Sequence, residues 1–97
     1  MEKSFTRDEA TKELANLSGW ALSDSMKLTK SWAFKNFSES LAFADKIGAL
    51  AEAENHHPDL EVAWGKVVVT LFTHSVNGLS DKDFALAKKI DELTTVK

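Results

Sequence analysis

The chain of 97 residues contains no cysteine. Disulfides, thiolate metal sites and cysteine nucleophiles are excluded, and the absence fits a reducing cytoplasm. No apolar run approaches the roughly 20 residues of a membrane span. The opening "MEKSFTRDEA" lacks the apolar stretch of a signal peptide. Net charge is −3, with no basic block or stripe, so neither nucleic acid nor membrane is expected as a partner. The glycines stand apart at 19, 48, 65 and 78, so no loop cradles phosphate. H-E-x-x-H and G-x-S-x-G are also missing, which leaves zinc hydrolysis and serine nucleophilic catalysis without support. There is no internal repeat and no low-complexity tract.

What is present suits one globular domain spanning 1–97. Apolar residues make up 43% and charged residues 28%, with six Phe and three Trp to bury. A chain of this length buries roughly 60–70% of its unfolded surface.

The first element is a helix. Thr6 and Glu9 form a capping box, Ala10, Leu14 and Leu17 share one face, and Gly19 ends it. Trp20 and Leu22 then precede a Ser-Asp-Ser turn. Met26, Leu28, Trp32 and Phe34 fall on one side of an alternating run, with Lys27, Thr29 and Ser31 on the other: a hairpin with one buried face.

The longest helical pattern follows, capped by Asn36 or Ser38. Phe37, Leu41, Ala44 and Ala51 make one stripe; Phe43, Ile47 and Leu50 make another beside it. That arc is wider than one sheet contact needs, which suggests a partner chain as well as a core. Leu60, Val62 and Trp64 begin a second hairpin, with Gly65-Lys66 suited to a type II′ turn and Trp64 expected in the core or against a ligand ring. Val67 to His74 is apolar on both faces and reads as an inner strand ending at His74. Ser80 caps the last helix, with Asp83 at its third position, Leu79 stapled on Phe84, and Phe84, Ala87, Ile90 and Leu93 or Thr94 facing inward. The expected class is α+β: a four-stranded antiparallel sheet with three helices on one face, in the order α-β-β-α-β-β-α.

Two of the three histidines sit together in "AENHHPD". Glu52 and His56 become neighbours if the helix reaches them. His57 diverges, and Pro58 disfavours helix at His57, so the pair marks a helix-to-strand corner. With His74 at a strand end and Asp83 in the first helical turn, three imidazoles and two carboxylates can converge on one pocket. An imidazole exchanges protons near neutrality, and a carboxylate beside it fixes its tautomer. Plainer roles exist for each: a histidine can complement a helix dipole, and a solvated cap aspartate is worth on the order of 1 kcal/mol or less. Adjacent histidines are awkward for chelating one metal, so no metal is expected. The choice left is acid–base chemistry or a binding module.

In order, Glu52, His56-His57-Pro58, Trp64, His74 and Asp83 span 32 positions. This compound pattern resembles the signature of the pterin-4a-carbinolamine dehydratases. "GW" before the first strand and "GLSDKDFALA" after the third histidine fit the same pattern, as do length and element order. The resemblance implies loss of water from 4a-hydroxytetrahydropterin to give quinonoid dihydropterin, recycling the cofactor of aromatic amino acid hydroxylases. It implies His56, His57, His74, Glu52 and Asp83 in catalysis, with the pterin as substrate and no cofactor. It also implies homodimers joined sheet edge to sheet edge, and homotetramers through the long helix. Asn55, Pro58, Thr73 and Ser75 flank the histidines and are expected to help bind substrate. Two alternatives accompany this reading: a non-catalytic pterin-binding or interaction module, and a related role in molybdopterin metabolism.

Overall fold

The computed structural model describes residues 4–95. Thr6 opens α1 (Arg7–Leu14) with the expected capping box: its hydroxyl accepts from Glu9 N–H, and the Glu9 carboxylate accepts from Thr6 N–H. Ala10 is fully buried in the core cluster, against which Leu14 and Leu17 also pack. Gly19 adopts φ +83°, a conformation glycine takes without strain.

Four strands form one antiparallel sheet in the order β1-β2-β4-β3: β1 (Ala21–Leu22), β2 (Leu28–Ala33), β3 (Asp59–Ala63) and β4 (Lys66–Leu71). The β1–β2 turn runs through Ser23–Lys27, closed by Ser23 N–H to Lys27 O at 2.8 Å. Met26 belongs to that turn, at φ +62°, and not to the strand.

The β3–β4 turn is Trp64-Gly65, one residue earlier than the composition suggests, because Ala63 pairs with Lys66. Neither turn residue has a left-handed φ, so the type II′ expectation does not hold. Glycine is needed at 65 for space: a Cβ there would lie 2.9 Å from the Phe34 carbonyl oxygen. The shift moves Trp64 off the strand and leaves it 68% exposed, so it is not a core aromatic.

Val67, Val69 and Leu71 of β4 point to one face, where Leu28 of β2 joins them; all four are fully buried. Lys30 lies on this same face by register, opposite Val69. Its ammonium reaches Asp91 Oδ1 at 2.8 Å and the Ser18 carbonyl at 2.7 Å, while Trp20 Nε1–H also donates to Asp91. The charge is thereby paired at the edge of the core.

All three helices contribute to the core on that face. The longest, α2 (Phe37–Glu54), is capped by Asn36, whose side chain accepts from Glu39 N–H at 2.9 Å. Phe43, Ala44, Ile47 and Ala51 turn inward, and Phe43 packs its ring at a tilt against Trp32 and Phe34. Its outer side carries Phe37, 46% exposed, and Leu41, 52% exposed. The wide apolar arc thus splits into a core stripe and an open one.

The last helix, α3 (Asp81–Thr95), buries Phe84, Leu86, Ala87 and Ile90, with Leu93 partly covered and Thr94 exposed. Leu79 and Phe84 are both buried in the core cluster, as a staple requires. Each fully buried aliphatic side chain contributes about 1.5–3 kcal/mol, so this single layer contact dominates the stability.

Candidate active site

The site is built where α2 stops. Asn55 takes the left-handed conformation, φ +52° and ψ +42°, and donates its N–H back to Ala51 and Glu52. His56 N–H then reaches the Ala51 carbonyl at 3.1 Å, closing the helix end. Asparagine tolerates this geometry better than other side chains. Pro58 keeps His57 out of helix, and the chain enters β3 at Asp59.

This turn sends the two histidines in opposite directions. His56 goes inward and is 9% exposed. Its Nε2 lies 2.6 Å from Asp83 Oδ1. His57 goes outward, and its Nε2 lies 2.6 Å from Glu52 Oε2; the two side chains are 58% and 79% exposed. The expected Glu52–His56 pairing is therefore wrong. It requires the helix to continue through residue 56, whereas the left-handed Asn55 breaks the four-residue spacing and hands Glu52 to His57.

Two carboxylate–imidazole pairs result, one buried and one open. Glu52, His57 and Pro58 line a cleft of ≈ 490 Å³ with Asp45, Gly48, Ala49, Ala51 and Leu60. His56 lines a smaller hollow of ≈ 180 Å³ with Glu54, Asp81, Lys82 and Ala85. The pockets differ, so the adjacent histidines do not simply share one wall.

Asp83 is 0% exposed. Burying a carboxylate is costly unless donors surround it. Here Oδ1 faces His56, while Oδ2 accepts from the Thr73 hydroxyl at 2.6 Å and from Ser80 N–H at 3.0 Å. The Ser80 bond is the reach-back arm of the helix cap. Thr73 comes from the segment after β4 and is 4% exposed. It also forms an antiparallel bridge with Gly78, which closes the loop carrying His74.

His74 does not end a strand. β4 stops at Leu71, and His74 opens a short 3₁₀ turn, His74–Val76, where it is exposed. Its ring meets the Phe72 ring edge-on at 5.1 Å. It joins the buried pair through the chain: its neighbour Thr73 bonds the carboxylate that holds His56. Asn55 and Ser75 are exposed, Pro58 is half-buried, and Thr73 is turned inward, away from solvent. Among the described residues no three His, Asp or Glu side chains gather as a metal cage.

The sequence pattern missed two groups. One is the Thr73–Ser80 hydroxyl pair behind Asp83, 2.8 Å apart. Only the Ser80–Asp83 half carried a signal, as a helix cap. The other is Phe72, flanked by His74 and by Lys27, whose ammonium is 5.0 Å from the ring centroid.

Residues 3–93 match the family model described as pterin 4 alpha carbinolamine dehydratase. A protein of Methylococcus capsulatus that carries the same family name is 47% identical over 90 residues, covering 92% of this chain and 79% of its own. The crystal structure of a transcriptional coactivator/pterin dehydratase from Brucella melitensis superposes with a TM-score of 0.87 at 35% identity, covering 93% of this chain and 97% of that one. A pterin dehydratase-like protein described as a RuBisCO assembly factor of the alpha-carboxysome shares the fold, with a TM-score of 0.68 at 24% identity, over 82% of this chain and 94% of that one.

Proposed function

The chain belongs to the pterin 4 alpha carbinolamine dehydratase family, and we propose that it dehydrates 4a-hydroxytetrahydropterin to quinonoid dihydropterin. The C4a–O bond breaks, the oxygen leaves with the bonding pair and takes a proton, and water departs. N5 gives up its proton, and its electron pair forms the new C4a=N5 bond. Both proton transfers fall within reach of imidazole chemistry and need no redox group.

One observation carries this reading: adjacent histidines, each with a carboxylate 2.6 Å from Nε2, one pair open to solvent and one buried. In it the Glu52–His57 pair exchanges protons with the substrate across the open cleft. His56, which faces the neighbouring hollow, is the second proton-handling group, and His74 stands exposed on the loop that the Thr73–Gly78 bridge closes. Asn55 and Ser75, both exposed, are available to the polar edge of a flat pterin. The product re-enters the cofactor cycle of an aromatic amino acid hydroxylase.

The test is turnover of chemically prepared carbinolamine by the purified protein, followed by absorbance of the quinonoid product. Acceleration well above the spontaneous rate is expected. Binding of a pterin without acceleration would instead favour a non-catalytic pterin-binding module.

The open stripe on α2 supports assembly of copies through the long helix. Phe37 and Leu41 are half-exposed apolar side chains on the same side of that helix, one turn apart. Leu41→Asp is expected to leave the fold intact, because the side chain is outside the core, and to lower the mass seen by light scattering. An unchanged mass would remove this helix face from the assembly.

A further inference from the structure

The buried hydroxyls behind Asp83 have a direction. A threonine hydroxyl carries one proton. That of Thr73 goes to Asp83 Oδ2, 2.6 Å away. The 2.8 Å contact between Thr73 Oγ1 and Ser80 Oγ must therefore run from Ser80 to Thr73. Ser80 Oγ in turn accepts from Lys82 N–H at 3.3 Å. Every donor in this chain points toward the carboxylate.

The consequence falls on His56. With Oδ2 occupied by Thr73 and by Ser80 N–H, Oδ1 is the acceptor left for the ring, so Nε2 carries the proton. Nδ1 then has no partner among the described residues. Which ring nitrogen is protonated is set by the bond the other one makes.

We propose that Thr73, backed by Ser80, is a positioning residue that pins the Asp83 carboxylate and thereby holds His56 as its Nε2–H tautomer, leaving Nδ1 to exchange the proton. This rests on the dehydratase reading above. Thr73 is buried and faces the carboxylate, so it acts through Asp83 and not by touching the pterin. Its hydroxyl opposes rotation of the carboxylate, and the carboxylate opposes a flip of the imidazole. Three separate segments meet at that point: the α2–β3 corner, the segment after β4, and the start of α3.

Thr73→Val keeps the shape and removes the hydroxyl; Thr73→Ser keeps the hydroxyl. The valine variant is expected to lose roughly tenfold in kcat with KM changed less than about twofold, the usual range for a group that orients another. The serine variant should stay within about twofold of the parent. In ¹⁵N-labelled protein, the parent should show His56 with a protonated Nε2 and an unprotonated Nδ1 at mildly alkaline pH. The valine variant should show a mixture of tautomers. If valine does not fold, Thr73→Ala removes the same hydroxyl without a branched replacement. Full turnover together with an unchanged nitrogen pattern in the hydroxyl-free variant overturns the proposal, as does a serine variant as slow as the valine one. Should the parent protein not turn over carbinolamine, the dehydratase reading fails by itself, and the nitrogen pattern still decides whether Thr73 sets the tautomer.

Discussion

His57→Ala is expected to lower carbinolamine turnover by roughly 10²–10⁴, the usual weight of one positioned acid or base, while moving the melting temperature little. The side chain is 58% exposed and its partner, Glu52, is 79% exposed. Its removal leaves no cavity, and the carboxylate freed from it is solvated. Exposed ion pairs of this kind contribute about 0–1 kcal/mol, so stability has little to lose. A kinetic assay beside a thermal melt checks both halves. Near-parental turnover would move the chemistry to His56 or His74. His56→Ala is a different experiment, although the residue is adjacent. It withdraws a ring from a 9% exposed site and strips one donor from a buried carboxylate. Its rate loss comes with a loss of stability, so the open histidine is the cleaner probe of the reaction.

That contrast was invisible in "AENHHPD". Much else was legible, where local rules act alone. The Thr6–Glu9 box and the Ser80–Asp83 reach-back lie within a few residues of chain, each where its spacing puts it, and of the two caps open for α2, Asn36 and Ser38, Asn36 is the one that serves. Alternation found the inward face of β2 for the same reason, and a run apolar on both faces marked β4 as an inner strand. The element order followed, and so did the antiparallel sheet. The errors arose where one residue changes direction. A left-handed Asn55 ends α2 at Glu54 and exchanges the partners of Glu52. A hairpin turn set one residue earlier takes Trp64 out of its strand and into solvent, because the turn residues lie beyond the last pair of the ladder. His74 shows the same sensitivity: β4 ends three residues before it. Thr73 carries no local signal of its bond, since the carboxylate it donates to is ten positions away.

Asp83 is where the site and the fold become one question. As a solvated cap residue its loss would cost on the order of 1 kcal/mol or less. Its surroundings are different: it is 0% exposed and accepts from His56, Thr73 and Ser80 N–H. Asp83→Ala leaves those donors facing a hole, and each buried unpaired group costs about 1–3 kcal/mol. Thr73 can turn its proton back to Ser80, which recovers part of the loss. A net cost of roughly 2–4 kcal/mol is expected, or about 10–20 °C in melting temperature for a domain of this size. Asp83→Asn separates charge from shape. It fills the same volume but offers one acceptor oxygen where the carboxylate has two, and its amide adds donors to a ring of donors. Whichever way the amide is turned, His56 or Thr73 meets an N–H. If the carbonyl takes Thr73 and Ser80, the amide faces Nε2 and drives the ring to its other tautomer. If it takes His56, Thr73 and Ser80 N–H lose their acceptor. Either way a loss of about 1–3 kcal/mol is expected, together with a fall in kcat of roughly 10² or more. Thermal melts and steady-state kinetics on both variants decide it. An asparagine variant that melts and turns over like the parent would mean that the charge at this position supports neither the fold nor the histidine, and that the buried pair has no part in the reaction.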